Sequence, residues 1–267
     1  MKINILDLES NKIGEMQLPS QFVEEFRPDI IQRAVLAVQS HKRQQYGVGA
    51  ESGKRASAKL SRRRRDYRGA YGYGISRVPR KILMRRGMRM TWVGAFAPGT
   101  VGGRRAHPPK SEKIWSKKIN ERERLKAIRS AISATMLKEI VENRGHLVPK
   151  NYPFILDEKF EMLNKTKEVI EALNKLGFNE ELLRVQEKSI RAGKGKSRGR
   201  KYTRKKGPLI VVSKNNLLKG AINIPGIDVV GVKNLNAELL APGGKAGRLT
   251  LWTSPAIDTL KKEKLFD

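Results

Sequence analysis

The chain has 267 residues, with 56 Lys+Arg against 26 Asp+Glu, a net charge of +30, and no cysteine. That charge calls for a polyanionic partner, either nucleic acid or an anionic membrane surface, and the lack of cysteine excludes disulfides, thiolate metal sites and Cys nucleophiles and fits a reducing compartment. No apolar run reaches the length of a membrane span, and the opening MKINILDLES, acidic early, lacks the charged-then-apolar layout of an export signal.

In chain order, KINILDL and KIGEMQL flank Glu9-Ser10-Asn11 and predict a strand pair with a turn near 10–12. Pro28 and Asp29 mark a helix start, and Ile30, Ile31, Ala34, Val35 and Val38 follow at helical spacing to about His41. The segment 43–110 has no comparable periodicity; it is rich in Gly, Arg and Tyr and carries Pro79, Pro98, Pro108 and Pro109. A structureless stretch of that length inside a domain is uncommon and is either functional or disordered. With a helix expected on each side it is an internal excursion, and about 34 residues out and back reach at most roughly 110 Å. Ser111 is then placed to cap a long amphipathic helix with an apolar face of Leu125, Ile128, Ile132, Met136 and Ile140, stopped by Asn143-Arg144-Gly145.

From Leu147 onward short apolar runs alternate with helical patterns. A strand is expected at 154–156, then a helix with Phe160, Leu163, Val169, Ile170 and Leu173 that ends near Gly177. Further strands are expected at 208–213, 228–232 and 248–253, with short helices near 215–220, 234–240 and 255–264. The PLIVV run, without polar alternation, fits a strand covered on both faces. Such alternation predicts an α/β fold: a globular layered domain with a mainly parallel sheet and flanking helices, over 1–42 and 111–267, with a long irregular arm over 43–110 inserted in it.

The charge follows this division. Residues 42–110 carry a net +17 and residues 184–206 a net +10, which leaves +3 for everything else. The chain is a near-neutral body bearing two strongly basic segments.

Nucleotide-binding motifs fail in both. In GVGAESGKR, Val48 stands where a P-loop needs its first glycine and Arg55 where Ser or Thr binds magnesium; in AGKGKS, Ile190 takes the first glycine position. In GYGISR, Arg77 replaces the third glycine of a dinucleotide fingerprint. His41, His107 and His146 lie apart without metal-ligand spacing and read as surface or helix-end histidines. Asp157, Glu158 and Glu161 read as a solvated helix N-terminus. No catalytic constellation is present in the sequence pattern, so the chain is expected not to be an enzyme, with no cofactor and no metal. The alternatives weighed are an RNA-dependent assembly or RNA-modifying factor using the α/β domain, and a nucleic-acid packaging protein. An enzyme would place its polar constellation at strand ends and a packaging protein its charge in tails, whereas this chain holds +17 in an internal excursion.

The arm has the composition of an RNA ligand. A run such as Arg62, Arg63, Arg64, Arg65 cannot be buried unpaired. A merely solvated segment would favour Lys, Ser, Glu and Gln, but here 14 Arg stand against 5 Lys, interleaved with Tyr46, Tyr67, Tyr71, Tyr73, Trp92 and Phe96. Arginine contacts phosphate bidentately, aromatic rings stack on unpaired bases, and glycine lets the backbone approach. The expected RNA-binding residues of the arm are Arg43, Lys54, Arg55, Lys59, Arg62 to Arg65, Tyr67, Arg68, Tyr71, Tyr73, Arg77, Arg80, Lys81, Arg104, Arg105, His107 and Lys110. No recognition-helix, zinc-finger or basic-zipper pattern favours DNA, and no amphipathic apolar face favours a membrane. Met84, Met88 and Met90 read either as a small cluster ordering the arm or, preferably, as apolar contacts to a partner.

Five motifs, GYGISRVPRK (72–81), GGRRAHPPK (102–110), INERERLKAIRSAISAT (119–135), RAGKGKSRGRKY (191–202) and APGGKAGRLTLWT (241–253), occur in order along nearly the whole chain and resemble the L-four family of large-subunit ribosomal proteins in its archaeal and eukaryotic form. The archaeal form is expected, since the chain stops at Asp267 without the long basic extension typical of eukaryotic members. The resemblance implies a structural constituent of the large subunit, cytoplasmic in ribosomes, whose partners are large-subunit rRNA, neighbouring proteins including the L-twenty-two family, and the nascent peptide at the tunnel constriction, with no membrane and no small-molecule substrate. Any structural Mg2+ would belong to the rRNA. It implies an arm tip between Val78-Pro79 and His107-Pro108-Pro109, with Arg85, Arg86, Met88, Arg89, Met90, Trp92, Gly102, Gly103, Arg104 and Arg105 near the exit tunnel. It also makes Arg191, Lys194, Lys196, Arg198, Arg200, Lys201, Tyr202 and Arg204 a second RNA contact on the body.

Overall fold

The two N-terminal apolar runs become β1 (Lys2–Leu6) and β2 (Lys12–Gln17), paired antiparallel. Their turn is tight: the Ser10 N–H donates to the Asp7 carbonyl (3.1 Å) and Ser10 takes φ +67°. The computed structural model describes residues 1–52, 60–67, 69–87, 89–213 and 220–266, and these fall into two units, Met1–Lys42 with Ser116–Asp267 (the body), and Arg43–Trp115 (the arm).

In chain order the arm holds β3 (Arg80–Arg86) and β4 (Arg89–Gly94); the body continues with β5 (Ile155–Leu156), β6 (Lys188–Ile190), β7 (Tyr202–Arg204), β8 (Leu209–Val212), β9 (Asp228–Gly231) and β10 (Thr250–Thr253). Six strands form the body sheet in the order β2-β1-β5-β10-β8-β9, parallel throughout except for β1 with β2. Side chains alternate across it. Leu209 and Val211 join Ile155 and Trp252 in one core, while Ile210 and Val212 join Leu156 and Leu251 in the other. Being covered on both faces is why LIVV carries no polar residue.

Helices α1 (Pro28–His41) and α2 (Glu121–Met136) cover the first face through Ile31, Ala34, Val35, Ala127, Ile128, Ala131 and Ile132. After α3 (Lys138–Asn143), α4 (Thr166–Lys175) covers the second face with Val169, Ala172 and Leu173. Helices α5 (Asn179–Gln186), α6 (Ala237–Leu240) and α7 (Ser254–Lys262) also belong to the body. The serines of the RSAISAT stretch explain themselves here: Ser130 and Ser133 Oγ donate to the Glu25 and Glu24 carbonyls (2.8 and 2.6 Å), and Arg27 N–H donates to Ser130 Oγ (2.7 Å). They tie α2 to the segment entering α1. Where the body chain departs into the arm and returns, Lys117 N–H donates to Ser40 Oγ (2.9 Å), so the body closes across its own interruption.

Several expectations are corrected. Ser111 caps nothing: α2 starts at Glu121 after Asn120. Lys113, Lys117 and Lys118 in opening turns would oppose the helix dipole, whereas Glu121 and Glu123 favour it. The helix does not run unbroken to Asn143 but stops at Leu137 (ψ 100°), where Tyr152 OH takes the Thr135 carbonyl that another turn of helix would have used. The helix expected through Phe160 begins only at Thr166, and 158–162 is a separate 3-10 turn. Helix α5 and the hairpins β3–β4 and β6–β7 were not expected; the arm is thus less irregular than its sequence suggested. The helix near 215–220 falls almost wholly outside the described residues.

Two polar groups are buried against expectation. Glu161 is no solvated helix-start acid: its Oε1 accepts from Ser213 N–H (2.8 Å) and Thr253 Oγ1 (2.5 Å), and its Oε2 from Ser213 Oγ (2.8 Å). His146 is buried against Glu181, whose Oε1 lies 2.7 Å from His146 Nδ1. Arg184 donates to both Glu181 oxygens (2.6 and 2.7 Å) and Leu147 N–H to Oε2 (3.0 Å). Burial pushes the Glu181 carboxyl up, but the hydrogen bonds from Arg184, His146 and Leu147 outweigh it and its pKa falls below 4.5. Burial depresses the His146 pKa below 6.5 more than Glu181 raises it, leaving a neutral ring that donates from Nδ1.

Because the folded-state pKa of His146 is lowered, its contribution to stability is complete above 6.5 and is lost as pH falls through the window below that value; Glu181 behaves likewise below 4.5. Urea midpoints should therefore fall on acidification in two stages, and Glu181→Ala, which strands a buried His146 and a half-buried Arg184, should cost about 3 kcal/mol at neutral pH. A midpoint unchanged between neutral pH and pH 4.5 would contradict this account.

Candidate nucleic-acid interface

The root of the arm is a stack of rings and cations. Tyr46 lies nearly parallel to Trp115 (centroids 5.6 Å apart, 18°), and Arg43 and Lys113 sit over the same indole at 3.9 and 4.5 Å. Val48 N–H donates to the Pro109 carbonyl (3.2 Å), and a Cβ on Gly47 would overlap the Ser111 backbone, so outgoing and returning chains run in contact with no room for a side chain between them. Arg43, the first predicted contact, therefore begins as part of the root. Trp115 and Lys113 were missed as interface residues because they fell inside the helix expected from Ser111, although they carry the same cation–aromatic signal.

Farther along, Ser61 and Gly69 form a β-bridge that closes a loop over the arginine run. Asp66 organises it: Ser61 Oγ and Tyr67 N–H (2.8 Å) donate to its carboxylate, and Gly69 N–H to its carbonyl (3.0 Å). Arg65 is held at φ +56°. The result is four exposed guanidinium groups, Arg62 to Arg65, displayed from one turn.

The Tyr-Gly segment follows. Arg77 Nη1 donates to Tyr71 OH (2.9 Å) with its guanidinium 5.2 Å from that ring. In the β3–β4 hairpin Arg80 lies over Trp92 (5.5 Å) and Arg85 over Tyr67 (4.5 Å), while Tyr73 meets Trp92 edge-on at 6.5 Å. Tyr67, Tyr73, Ile75, Arg89, Met90, Thr91 and Trp92 line an open hollow of about 440 Å³. Arg85, Arg86 and Arg89 are exposed around the turn at Gly87, Lys81 is exposed at the opposite end of the hairpin, and Met84 is 64% exposed. Beyond β4, Thr100 Oγ1 donates to the Ala95 and Ala97 carbonyls (2.8 and 2.7 Å), and a Cβ on Gly103 would overlap the Ala97 oxygen. That fold leaves Gly102, Arg105, His107 and Lys110 exposed and Arg104 half-buried. Lys54, Arg55, Lys59, Arg68 and Met88 lie outside the described residues.

On the body, β6 and β7 present the loop 191–201, where Arg191 N–H and Nε donate to the Lys201 and Arg200 carbonyls (2.8 and 3.2 Å). Arg191, Lys194, Lys196, Arg198, Arg200, Lys201, Tyr202 and Arg204 are all exposed, with Lys188 and Lys201 near the Tyr202 ring. The ends of this basic tract differ: Arg184 is tied to Glu181, Lys205 to Glu187 (3.3 Å) and Lys206 to Asp228 (3.0 Å). Arg248, inside the GRLTLWT motif, is likewise internal, 1% exposed and 2.6 Å from Asp228.

Two properties set the arm apart. Among its described residues only Ala70, Ala95 and Ala97 are buried apolar side chains, and none of its described Lys or Arg side chains pairs with a described carboxylate. Among the described residues no group of three His or acidic side chains could hold a metal, and no helix is long and apolar enough to cross a membrane. The crevice at the carboxyl ends of β8 and β10, where an α/β enzyme would place its chemistry, is lined by Glu158, Glu161, Met162, Ser213, Asp258 and Lys262, and its buried acid Glu161 is held by Ser213 and Thr253.

Residues 16–263 match the Ribosomal protein L4/L1 family. The chain is 50% identical to the large ribosomal subunit protein uL4 of Nanoarchaeum equitans over the full length of both. It is 45% identical to that of Archaeoglobus fulgidus (97% of this chain, 98% of the other) and 46% identical to that of Methanococcoides burtonii (97% of each).

The root predicts its own test. Trp115→Ala removes the ring shared by Tyr46, Arg43 and Lys113, so free protein should be cut by trypsin at Arg43 and Lys110 markedly faster, with the thermal midpoint of the body unchanged; Trp115→Phe should retain most of the protection. Equal cleavage of all three proteins would mean that the stack does not hold the root.

Proposed function

Since the chain belongs to the ribosomal protein L4/L1 family, in its archaeal form, we propose that it holds folded large-subunit rRNA through the arm Arg43–Trp115 and through the body loop 191–201. The family is structural and non-enzymatic, and the chain is a structural constituent of the large ribosomal subunit. The observation that carries the RNA reading is made on the arm's described residues: three buried alanines are their only buried apolar side chains and no Lys or Arg among them pairs with a described carboxylate, in a stretch of net +17 over 42–110. Phosphates supply the missing charge, and bases stacking on Tyr and Trp supply the missing apolar contacts.

Each part has a role in this reading. Arg62 to Arg65 meet phosphates at one bend of RNA, because one turn displays all four. Tyr71, Tyr73 and Arg77 follow the RNA into the hairpin. The hairpin end and the Gly103 turn, with Arg85, Arg86, Met88, Arg89, Met90, Trp92, Gly102, Gly103, Arg104 and Arg105, reach the narrow part of the exit tunnel beside the L-twenty-two family protein, where the exposed arginines of the hairpin turn face the nascent peptide. Exposed Arg85, Arg86 and Arg89 at the hairpin turn support that assignment. The site of action is the cytoplasmic ribosome, no cofactor is needed, and any Mg2+ belongs to the RNA.

Binding of the free protein to large-subunit rRNA should weaken steeply with salt, and changing Arg62, Arg63, Arg64 and Arg65 together to Ala should reduce the log–log slope by about 3, since each phosphate contact contributes about 0.7–0.9. A flat salt response would argue against phosphate-dominated binding. Brief trypsin should remove the arm from the free protein and leave it intact in the assembled subunit; equal cleavage in both states would sink the arm's proposed placement in RNA.

A further inference from the structure

We propose that the hollow between Tyr67, Tyr73 and Trp92 is a receptor for one unpaired purine base of RNA; the inference rests on the RNA reading of the arm and specifies what this part of it takes. At about 440 Å³ the hollow lies within the roughly 300–1,000 Å³ of small-ligand sites. Its two main walls, Tyr73 and Trp92, stand at 84° with centroids 6.5 Å apart, so a flat ring stacked on one meets the edge of the other. Met90 lines the hollow with a thioether that adapts to either ring. Arg89 and Thr91, which alternate with Met90 and Trp92 along β4, complete the lining.

Charge selects a base over an apolar protein side chain. Arg85 rides on Tyr67 and Arg80 on Trp92, Arg89 is exposed beside them, and none has a carboxylate partner among the described residues. An aliphatic side chain entering here would desolvate these cations without compensation, whereas a nucleotide brings its own phosphate. Bases inside an A-form helix are closed to such a pocket, so the occupant is unstacked. A purine presents the larger face to the indole.

The test uses the full-length protein and two hairpin RNAs of equal length, one fully paired and one carrying a single bulged 2-aminopurine. The bulged RNA should bind about tenfold tighter, the worth of one base stacked on an aromatic side chain, with its fluorescence quenched on binding. Trp92→Ala should remove both the preference and the quench while leaving paired-RNA affinity and its salt slope in place, and Trp92→Phe should keep most of the preference. Equal affinity for both RNAs overturns the pocket and leaves the hollow to an apolar side chain of a neighbouring protein, with the RNA reading of the arm intact. A preference that survives the double change Tyr73→Ala with Trp92→Ala overturns it too, and a bulged uridine bound as tightly as the purine overturns the choice of base. Absence of salt-dependent binding to either RNA would instead remove the RNA reading itself.

Discussion

Guanidinium groups displayed side by side from one turn repel each other, by about 1 kcal/mol per pair at 4 Å in water and by several times more wherever solvent is excluded. Among the described residues of Arg43–Trp115 no Lys or Arg is paired with a described carboxylate, and the buried apolar side chains are three alanines. The construction of the arm follows from that constraint. Its order comes from interactions that tolerate or use positive charge: guanidinium over Trp115, Trp92 and Tyr67, and backbone bonds closed by Asp66 and Thr100. Cation–π contacts suit the role, since the ring face stabilises the cation without neutralising it.

The body sorts its cations by the same logic in reverse. Arg184, Lys206 and Arg248 are matched to Glu181 and Asp228, and Arg144 bonds the Pro242 carbonyl at 2.6 Å with its pKa lowered to about 10 by burial and by neighbouring Arg248. Of these, Arg144, Arg184 and Arg248 are largely buried in their pairings and hold the fold. Within the tract 184–206 it is the loop between β6 and β7 that keeps its charge outward. A basic tract in sequence is therefore a mixture, and the pairing of each side chain separates structural cations from offered ones.

Much of this was legible in the residues. The buried strands LIVV and TLWT, the half-buried strand DVVG and the helix from Pro28 announce themselves by sequence pattern, and the body–arm contrast by charge. What was not legible depended on contacts distant in sequence. Nothing local marks Glu161 as the acceptor for Ser213 and Thr253, or His146 as the partner of Glu181, because their partners lie from 35 to 92 positions away. The break at Leu137 depends on Tyr152, and Trp115 was hidden by a helix pattern that the lysines around it disfavour. In the interface, side-chain types were readable, but the Asp66-organised loop and the hollow beside Trp92 required the hairpin register that brings Tyr73 to Trp92.

The bond from Lys117 N–H to Ser40 Oγ bears on how such a chain can change over generations. It stitches the body shut where the arm leaves and returns, so the length between those two residues is not coupled to the register of any sheet strand. Doubling a flexible excursion costs only about 0.6 kcal/mol in closure entropy. Insertions and deletions between Lys42 and Ser116 should therefore accumulate more freely than changes in α2 or β10, and lineages can tailor the reach of the arm while inheriting one unaltered body.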